Sequence, residues 1–350
     1  MKVKKSATTG LYAPGDVHFN QPLTSVAVNY VAGTDREPGF VSDRVFPAVP
    51  VAKQSDLYYV LDDTHVGDNA EPRAPGTESA GGSLALSKEP YYAPVWAWHV
   101  DLPDQLRANV DSELALDSTA TRTVMRTMML SREVSWARSF FNKSAWDYSV
   151  DGASAATAPG DFDPTDDANN AKLFWDDPAS TPIEDVRQAQ RYVIRGAGGA
   201  FKPNVLVTTR PVFDALLDHP DVVARLDRGQ TPGGPAMANE AALAALFGLR
   251  EVLVMDAVYR AQQEGPNQFV QENGALLAYA AAAPSLLDAS AGYTFQWTGY
   301  SGSENQGIRV RKFRMEQLES DRVEGGAAFA HKVGSKRLGF YFNDIVENAG

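Results

Sequence analysis

From Asp104 to Phe141 the chain contains neither proline nor glycine. Apolar residues within it recur four apart: Leu106, Val110 and Leu114, then Val124 with Met128, Met125 with Met129, and finally Trp136 with Phe140. Steps of four return to one face of a helix, and Leu102-Pro103-Asp104 provides an entry. The stretch therefore predicts a single amphipathic helix of about 57 Å at 1.5 Å per residue. A rod of that length sets the scale of whatever packs on it. Its middle, Asp117 to Thr123, is polar and rich in Ser and Thr, so a kink or break there is the alternative.

What precedes the helix does not read as a compact domain. In residues 1–50 short apolar pieces such as Leu23, Val26 and Tyr30 are separated by Gly, Pro and Asn. These residues read as an arm, ending in Phe40-Val41-Ser42-Asp43-Arg44-Val45-Phe46-Pro47-Ala48-Val49-Pro50-Val51, where the prolines permit only extended or edge-strand backbone. Residues 51–98 read as a long hairpin: a strand at 55–61, a Gly/Pro-rich polar stretch at 62–82, and a return at 83–88. Residues 91–100 alternate again and place Trp96, Trp98 and Val100 on one face. A projecting two-stranded hairpin is marginal in water alone. Tyr58, Tyr59, Tyr91, Tyr92, Trp96 and Trp98 therefore have to be covered by their own domain or by a neighbouring copy.

After the helix, residues 147–182 carry Asp151, Asp161, Asp163, Asp166, Asp167, Asp176 and Asp177 against one base, Lys172. They read as an acidic surface insertion. Regular alternation of helix and strand follows over 183–300. Thr181-Pro182-Ile183-Glu184 has the form of a capping box opening a helix, and a strand is expected at Val205–Thr208. Helices are expected near Pro211–Leu217 and from Asn239 to Phe247, closed by Gly248, with strands at Glu251–Met255, Ala275–Ala281 and Tyr293–Thr298. Residues 301–350 return to strand character, at 307–318 and 326–346.

Nothing along the chain assembles into a catalytic, cofactor or metal site. Gly196-Ala197-Gly198-Gly199-Ala200-Phe201 lacks the third glycine of a dinucleotide loop and follows a helix rather than a strand, so it reads as a helix terminus. Gly299-Tyr300-Ser301-Gly302-Ser303 resembles a nucleophile elbow but has Ser303 where glycine is required. His18, His65, His99, His219 and His331 share no ligand spacing. Asp161, Asp163, Asp166 and Asp167 lack the glycine and glutamate of a calcium loop and read as solvated. Asp176 and Asp177, the pair a hydrolase reading would use, point to opposite faces if extended.

With 32 basic against 44 acidic residues, the formal charge of −12 argues against a dedicated nucleic-acid binder. The one basic cluster, Arg309, Arg311, Lys312 and Arg314, is expected to meet carboxylates of this chain or a neighbour, with contact to packaged nucleic acid as the sharper alternative. No run approaches the roughly 18 apolar residues of a membrane span, and no apolar signal core follows Met1-Lys2-Val3-Lys4-Lys5. The absence of cysteine excludes disulfides and thiolate sites, and fits a cytosol-like setting.

In the order of its parts the chain resembles the major capsid proteins of tailed bacteriophages, whose HK97-like shell fold is shared with herpesvirus capsid floors and encapsulins. Val45-Phe46-Pro47-Ala48-Val49-Pro50-Val51 leading to Tyr58-Tyr59 looks like their arm-to-loop junction. Lys202-Pro203-Asn204-Val205-Leu206-Val207, with Phe213, Leu216 and Leu217, looks like their first axial strand and helix. The resemblance implies an α+β fold with an N-terminal arm (1–50), an extended β-hairpin loop (51–98) and a peripheral domain with a long spine helix (99–146). The insertion (147–182), a compact axial α/β domain (183–300) and C-terminal strands completing the peripheral domain (301–350) follow. It implies a non-enzymatic subunit that self-assembles as hexamers and pentamers into an icosahedral virion capsid in the host cytoplasm. Packaged double-stranded DNA would be held by weak non-specific contact, with no membrane involved and no cofactor. A scaffolding protein, a portal and a decoration protein are candidate partners. An encapsulin-like cellular compartment is the alternative.

Overall fold

The computed structural model describes residues 40–347 except 62–71, 74, 77, 80–85, 110–112, 155–162, 165–169, 229–238, 261–264, 284–288 and 302–307. The arm up to residue 39, most of the hairpin tip, and Asp161, Asp166, Asp167, His18, His65 and Ser303 lie outside the described residues. In chain order the strands are β1 (Ala48–Val51), β2 (Ser55–Leu61), β3 (Leu86–Tyr92), β4 (Val95–Pro103), β5 (Tyr148–Ala153), β6 (Ala171–Leu173), β7 (Val205–Thr209) and β8 (Glu251–Met255). They continue with β9 (Val258–Arg260), β10 (Asn267–Phe269), β11 (Ala275–Ala278), β12 (Gly292–Trp297), β13 (Ile308–Met315), β14 (Ser320–Val333) and β15 (Gly339–Asn343). The helices are α1 (Asp104–Ala108), α2 (Glu113–Phe140), α3 (Pro182–Gly196), α4 (Arg210–Asp218), α5 (Pro220–Arg228), α6 (Glu240–Phe247) and α7 (Thr298–Ser301). No helix among the described residues is long and apolar enough to cross a membrane.

The described residues divide into two units, one built on Val95–Met128 and Tyr300–Ala328, the other on the remainder up to Pro94, Met129–Gly299 and the segment from Phe329 onward. The core of the second unit is a six-stranded sheet in the order β6-β5-β15-β11-β7-β8. Its central strands read Val-Leu-Val-Thr-Thr, Ala-Leu-Leu-Ala and Gly-Phe-Tyr-Phe, apolar on both faces, as a doubly covered sheet requires. Leu206, Leu277, Phe340 and Phe342 pack with Ile183, Val186, Leu216 and Leu243 on the helical layer α3 to α6. Val205, Val207, Leu276 and Tyr341 pack on the opposite face with Trp136, Phe140 and Phe141 of the α2 terminus, and with Val41, Val45 and Phe46. Burying each large side chain contributes about 1.5–3 kcal/mol relative to exposure. The end of the sequence-predicted arm, residues 40–46, is thus a core element.

The stretch 147–182, read from sequence as a surface insertion, supplies two strands of this sheet. β5 runs parallel to β15, and β6 runs parallel to β5. Trp175 is fully buried, stacked obliquely on Phe342 at 4.9 Å between ring centres. Its indole donates to Asp185 (3.2 Å), which also pairs with buried Lys172 at 3.1 Å. Asp-rich composition hides three positions, Val150, Lys172 and Trp175, whose burial decides the local structure. α3 begins at Pro182 as expected, yet the expected capping box is not made: Thr181 makes no side-chain cap, and Glu184 instead accepts from Arg225 (2.5 Å). α6 has the expected ends: Asn239 Oδ1 accepts from the Ala242 N–H (2.8 Å), and Gly248 closes the helix at φ 67°.

In the other unit β14 pairs with β4 on one side and β13 on the other, both antiparallel. The continuous helix expected over 104–141 is interrupted: α1 ends at Ala108, and α2 starts at Glu113, spanning about 42 Å at 1.5 Å per residue. At the break, the Asn109 side chain donates to the Gln105 carbonyl (3.0 Å), taking a partner that a continuing helix would use. The polar middle, by contrast, stays helical. Thr121 donates to Asp117 O (2.8 Å), Thr123 to Thr119 O (2.8 Å) and Thr127 to Thr123 O (3.0 Å), so the hydroxyls are satisfied inside the helix.

Helix α2 approaches β14 where the strand carries Gly325. A Cβ there would stand 2.5 Å from Val124 Cγ1 and 3.3 Å from Met128 Cγ. Gly325→Ala is expected to push helix from strand and cost about 1–3 kcal/mol, seen as a lowered Tm of the unassembled subunit with its far-UV circular dichroism retained.

Candidate assembly surface

Strands β2 and β3 form a two-stranded antiparallel ribbon, with Tyr58 opposite Glu89 and Asp56 opposite Tyr91. The period of two along a strand sends Tyr58 and Tyr91 to one face and Leu57, Tyr59 and Tyr92 to the other. The first pair anchors the ribbon: Tyr91 stacks on Phe295 at 4.5 Å, and Tyr58 lies against the same ring at 5.2 Å. The Tyr58 hydroxyl reaches Val333 O (2.9 Å) and Glu89 Oε2 (3.0 Å), and burial followed by the Glu89 carboxylate raises its pKa. Tyr91 donates to Lys53 O (3.1 Å). The outward residues are a different case: Leu57 is 57% exposed, Tyr59 47% and Tyr92 59%. One ribbon therefore holds to its own unit by one face and offers aromatic surface on the other. In the other unit, strand β4 likewise leaves Val95, Trp96 and Trp98 exposed.

The segment 41–43 is fixed by two adjacent residues of α2. Glu133 is fully buried, and its carboxylate accepts from the Val41 N–H (3.0 Å) and the Ser42 N–H (2.9 Å). Arg132, also buried, pairs with Asp43 at 2.8 Å and lies over the Phe329 ring. Burial pushes Glu133 up to about 7, against the pull of the two N–H donors and with a further push from Asp43. His331, buried and hydrogen-bonded through Nδ1 to the Thr294 hydroxyl (3.0 Å), is driven down to about 3 by burial and by the Arg132 charge.

The basic cluster of β13 is neutralised within its own unit. Arg311 pairs with Glu324 (2.7 Å), Lys312 with Asp117 (2.7 Å) and Asp321 (3.4 Å), and Arg314 with Asp104 (2.5 Å) and Asp321 (3.5 Å). Arg107 joins Asp117 (2.6 Å) and Asp321 (3.1 Å), and Arg322 grips Asp101 through two nitrogens (2.7 and 2.8 Å). Arg309 rests over the Tyr300 ring. Meeting the chain's own carboxylates, one of the expectations for this cluster, is what the geometry shows. Asp101 and Asp104 are held below the usual carboxylate range, chiefly by their hydrogen bonds to Arg322 and Arg314.

The remaining sequence candidates have structural roles. Gly196 to Gly199 close α3, with Gly198 at φ 60° and Gly199 at φ 77° donating to Ile194 O (2.8 Å). Gly299, Tyr300 and Ser301 fall within α7, where no strained elbow exists. Asp177 organises a turn by accepting from the Ala179 N–H (2.8 Å), and Asp176 accepts from Glu347 N–H (3.4 Å). Ser180 and His219 lie 3.1 Å apart and buried, a pair that invites a nucleophile reading. The Asp221 N–H donates to His219 Nδ1 (3.2 Å), so the proton sits on Nε2 and points toward the serine oxygen. That polarity is opposite to a general base. His99 lies 3.9 Å from Asp101. No cluster of metal-ligating side chains occurs among the described residues.

Comparison with known proteins places this architecture. Residues 123–290 match the family model of phage major capsid protein E. The chain is 25% identical over 332 residues to the major capsid protein of Pseudomonas phage JBD67, covering 93% of this chain and 96% of that one. Among solved structures, a phage-related protein from Bordetella bronchiseptica RB50 superposes with a TM-score of 0.69 at 20% identity, covering 95% of this chain and 99% of that one. The capsid of Cyanophage P-SCSP1u superposes at 0.53 with 10% identity over 88% of each chain. The fold is the mixed α+β fold of HK97-like capsid subunits. Over residues 123–290 the chain is similar to phage major capsid protein E.

The two buried titrating groups give opposite pH dependences. Glu133, raised when folded, takes up a proton on folding, so its contribution falls as pH rises from about 4.5 to about 7. His331, lowered when folded, loses its contribution as pH falls from about 6.5 toward about 3. In denaturant titrations of unassembled subunits, Glu133→Gln should gain stability relative to the unsubstituted chain as pH rises from 4.5 to 7.5, by a few kcal/mol. A difference independent of pH would place the ionisation of Glu133 elsewhere.

Proposed function

We infer that this chain is the major capsid protein of a tailed phage, a non-enzymatic subunit whose copies build the protein shell of the virion. The observation that carries the reading is the match of residues 123–290 to the phage major capsid protein E family. The full-length likeness to a major capsid protein supports it. The shell fold alone serves encapsulin-like compartments equally well. The family match favours the phage.

The finer assignments belong to this reading, and the exposed outer face of the ribbon supports the first of them. Residues 51–98 are the extended loop, and the outward face of β2 and β3, Leu57, Tyr59 and Tyr92, lies against the next subunit. Aromatic side chains of this kind contribute most when a partner excludes water from them. Residues 1–50 are an arm whose exit is fixed at the Glu133 clamp and which reaches neighbouring copies. The spine helix belongs to the peripheral domain and 183–300 to the axial domain. Hexamers and pentamers close an icosahedral lattice because many modest interfaces, each too weak to hold a dimer, sum around a ring. Scaffolding, portal and decoration proteins would meet this lattice, and the double-stranded genome fills it.

The chain expressed alone or with its co-encoded phage proteins should yield closed particles in negative-stain electron micrographs. Replacing Leu57, Tyr59 and Tyr92 together by serine should leave subunit melting within a few degrees of the original, because those side chains touch no core. Particle yield should fall at least tenfold. Undiminished particle yield from the triple variant would remove the ribbon from the interface. Monomers under every co-expression condition would remove the shell reading itself. Particles that recruit a cellular enzyme and contain no DNA would favour the compartment alternative.

A further inference from the structure

We propose that the solvent face of α3 binds the phosphate backbone of double-stranded DNA and therefore lines the inside of the shell. This rests on the shell reading above and adds to it the surface that meets the genome. The exposed residues of α3 are Glu184, Arg187, Arg191 and Arg195, while the remaining positions are buried or half-buried. At 100° per residue the three arginines fall within an arc of about 80°, one helical turn apart, with a rise of about 6 Å between successive guanidinium-bearing residues. The opposite face, Ile183, Val186, Ala189 and Val193, is fully buried in the core, so the helix cannot roll to hide the stripe. Glu184, the carboxylate at its head, is engaged by Arg225 (2.5 Å). At its tail, where Gly196 and Ala197 line a cavity of about 240 Å³ together with Ser335, Lys336 and Arg337, Lys336 adds a further exposed cation.

Two ordinary explanations fall short of the whole stripe. A cation near a helix C-terminus complements the macrodipole, which accounts for Arg195 but not for Arg187 and Arg191, beyond reach of the last turn. A subunit interface needs an apolar centre with charge pushed to its rim, and the exposed line of α3 carries no apolar residue. A polyanion needs only the cations. Guanidinium forks suit phosphate oxygens, and a row of them reads no sequence, as a shell enclosing a whole genome requires. The basic strand β13, the more conspicuous candidate in the sequence, is neutralised by Glu324, Asp117, Asp104 and Asp321 of its own unit. In a chain of net charge −12 the contact is weak for each copy and counts through the number of copies.

The test measures binding of a fluorescent 20-base-pair duplex to the full-length subunit by anisotropy, from 50 to 200 mM salt. The triple variant Arg187→Gln, Arg191→Gln, Arg195→Gln should bind more weakly at 50 mM. Its plot of log K against log salt should be shallower by up to about 2.7, at about 0.9 for each phosphate that is no longer neutralised. The corresponding triple lysine variant, which keeps the charge, should retain most of the slope. Should the glutamine triple fail to fold, each single glutamine variant should lower the slope by about 0.9. Absence of duplex binding by the unsubstituted chain, or an unchanged slope in the variants, overturns the proposal. So does a folded glutamine triple that binds duplex normally but no longer assembles, because the stripe would then face a neighbour's carboxylates. Particle formation is scored separately by electron microscopy: a reduced slope without particles at any stage would sink the shell reading and leave the anion-binding face standing.

Discussion

A sheet that is apolar on both faces has to be covered twice, and this constraint organises the larger unit. One cover, the layer of α3 to α6, comes from regular helices that follow or precede the strands they pack on. The other is assembled from distant pieces: the last turns of α2 and the short segment around Val41, Val45 and Phe46. Such a segment has few backbone hydrogen bonds of its own. The Glu133 carboxylate supplies them, accepting the two N–H groups of Val41 and Ser42, and the Arg132–Asp43 pair adds a second tether. Removing one partner of a buried charged contact leaves the other uncompensated, at a cost of about 3–5 kcal/mol. The clamp thus secures the second cover.

The same logic, reversed, describes the ribbon of β2 and β3. It has one face to bury and two strands to do it with, which is too little for independent stability. Tyr58, Tyr91 and Phe295 form a small satellite cluster that holds its root, while Leu57, Tyr59 and Tyr92 remain outside. Under the proposed shell function this division has a use. The inward residues fix the direction of the ribbon in the single subunit, so less ordering entropy would be lost if a neighbour covered the outward residues.

The other unit relies on charge to a greater degree. Arg107, Lys312 and Arg314 are joined through Asp104, Asp117 and Asp321 in one connected lattice, beside the bidentate Arg322–Asp101 pair. Single exposed pairs are worth little, whereas shared carboxylates hold several cations at once. Asp117 bridges two cations and Asp321 three. The long helix can therefore be polar through its middle without breaking: its threonines bond within the helix, and Asp117 is engaged by the lattice.

Much of this architecture is legible in the sequence because it is written in local patterns. Four-residue apolar spacing marks α2 from Val124 onward, proline and glycine mark the ends of α3 and α6, alternation marks the ribbon, and short continuous apolar runs mark the central strands of the doubly covered sheet. Local pattern fails where a single residue's environment outweighs its neighbours. Asn109 ends the first helical turns by bonding back to Gln105, a break that the apolar spacing through Leu106, Val110 and Leu114 conceals. The acidic stretch after residue 147 looks solvated by composition, yet Val150 and Trp175 carry it into the sheet. Conversely, Arg187, Arg191 and Arg195 form no linear motif, being separated by three residues each, and become one stripe only when wound on a helix. The sequence by itself determined which segments could be helix or strand and which surfaces needed covering, since these depend on neighbours along the chain. Only the tertiary structure decided what covers them: it put Glu133 on Val41, ninety-two positions away, and Asp117 on Lys312. Contacts across such distances are set by the joint packing of all the elements, which no local period records.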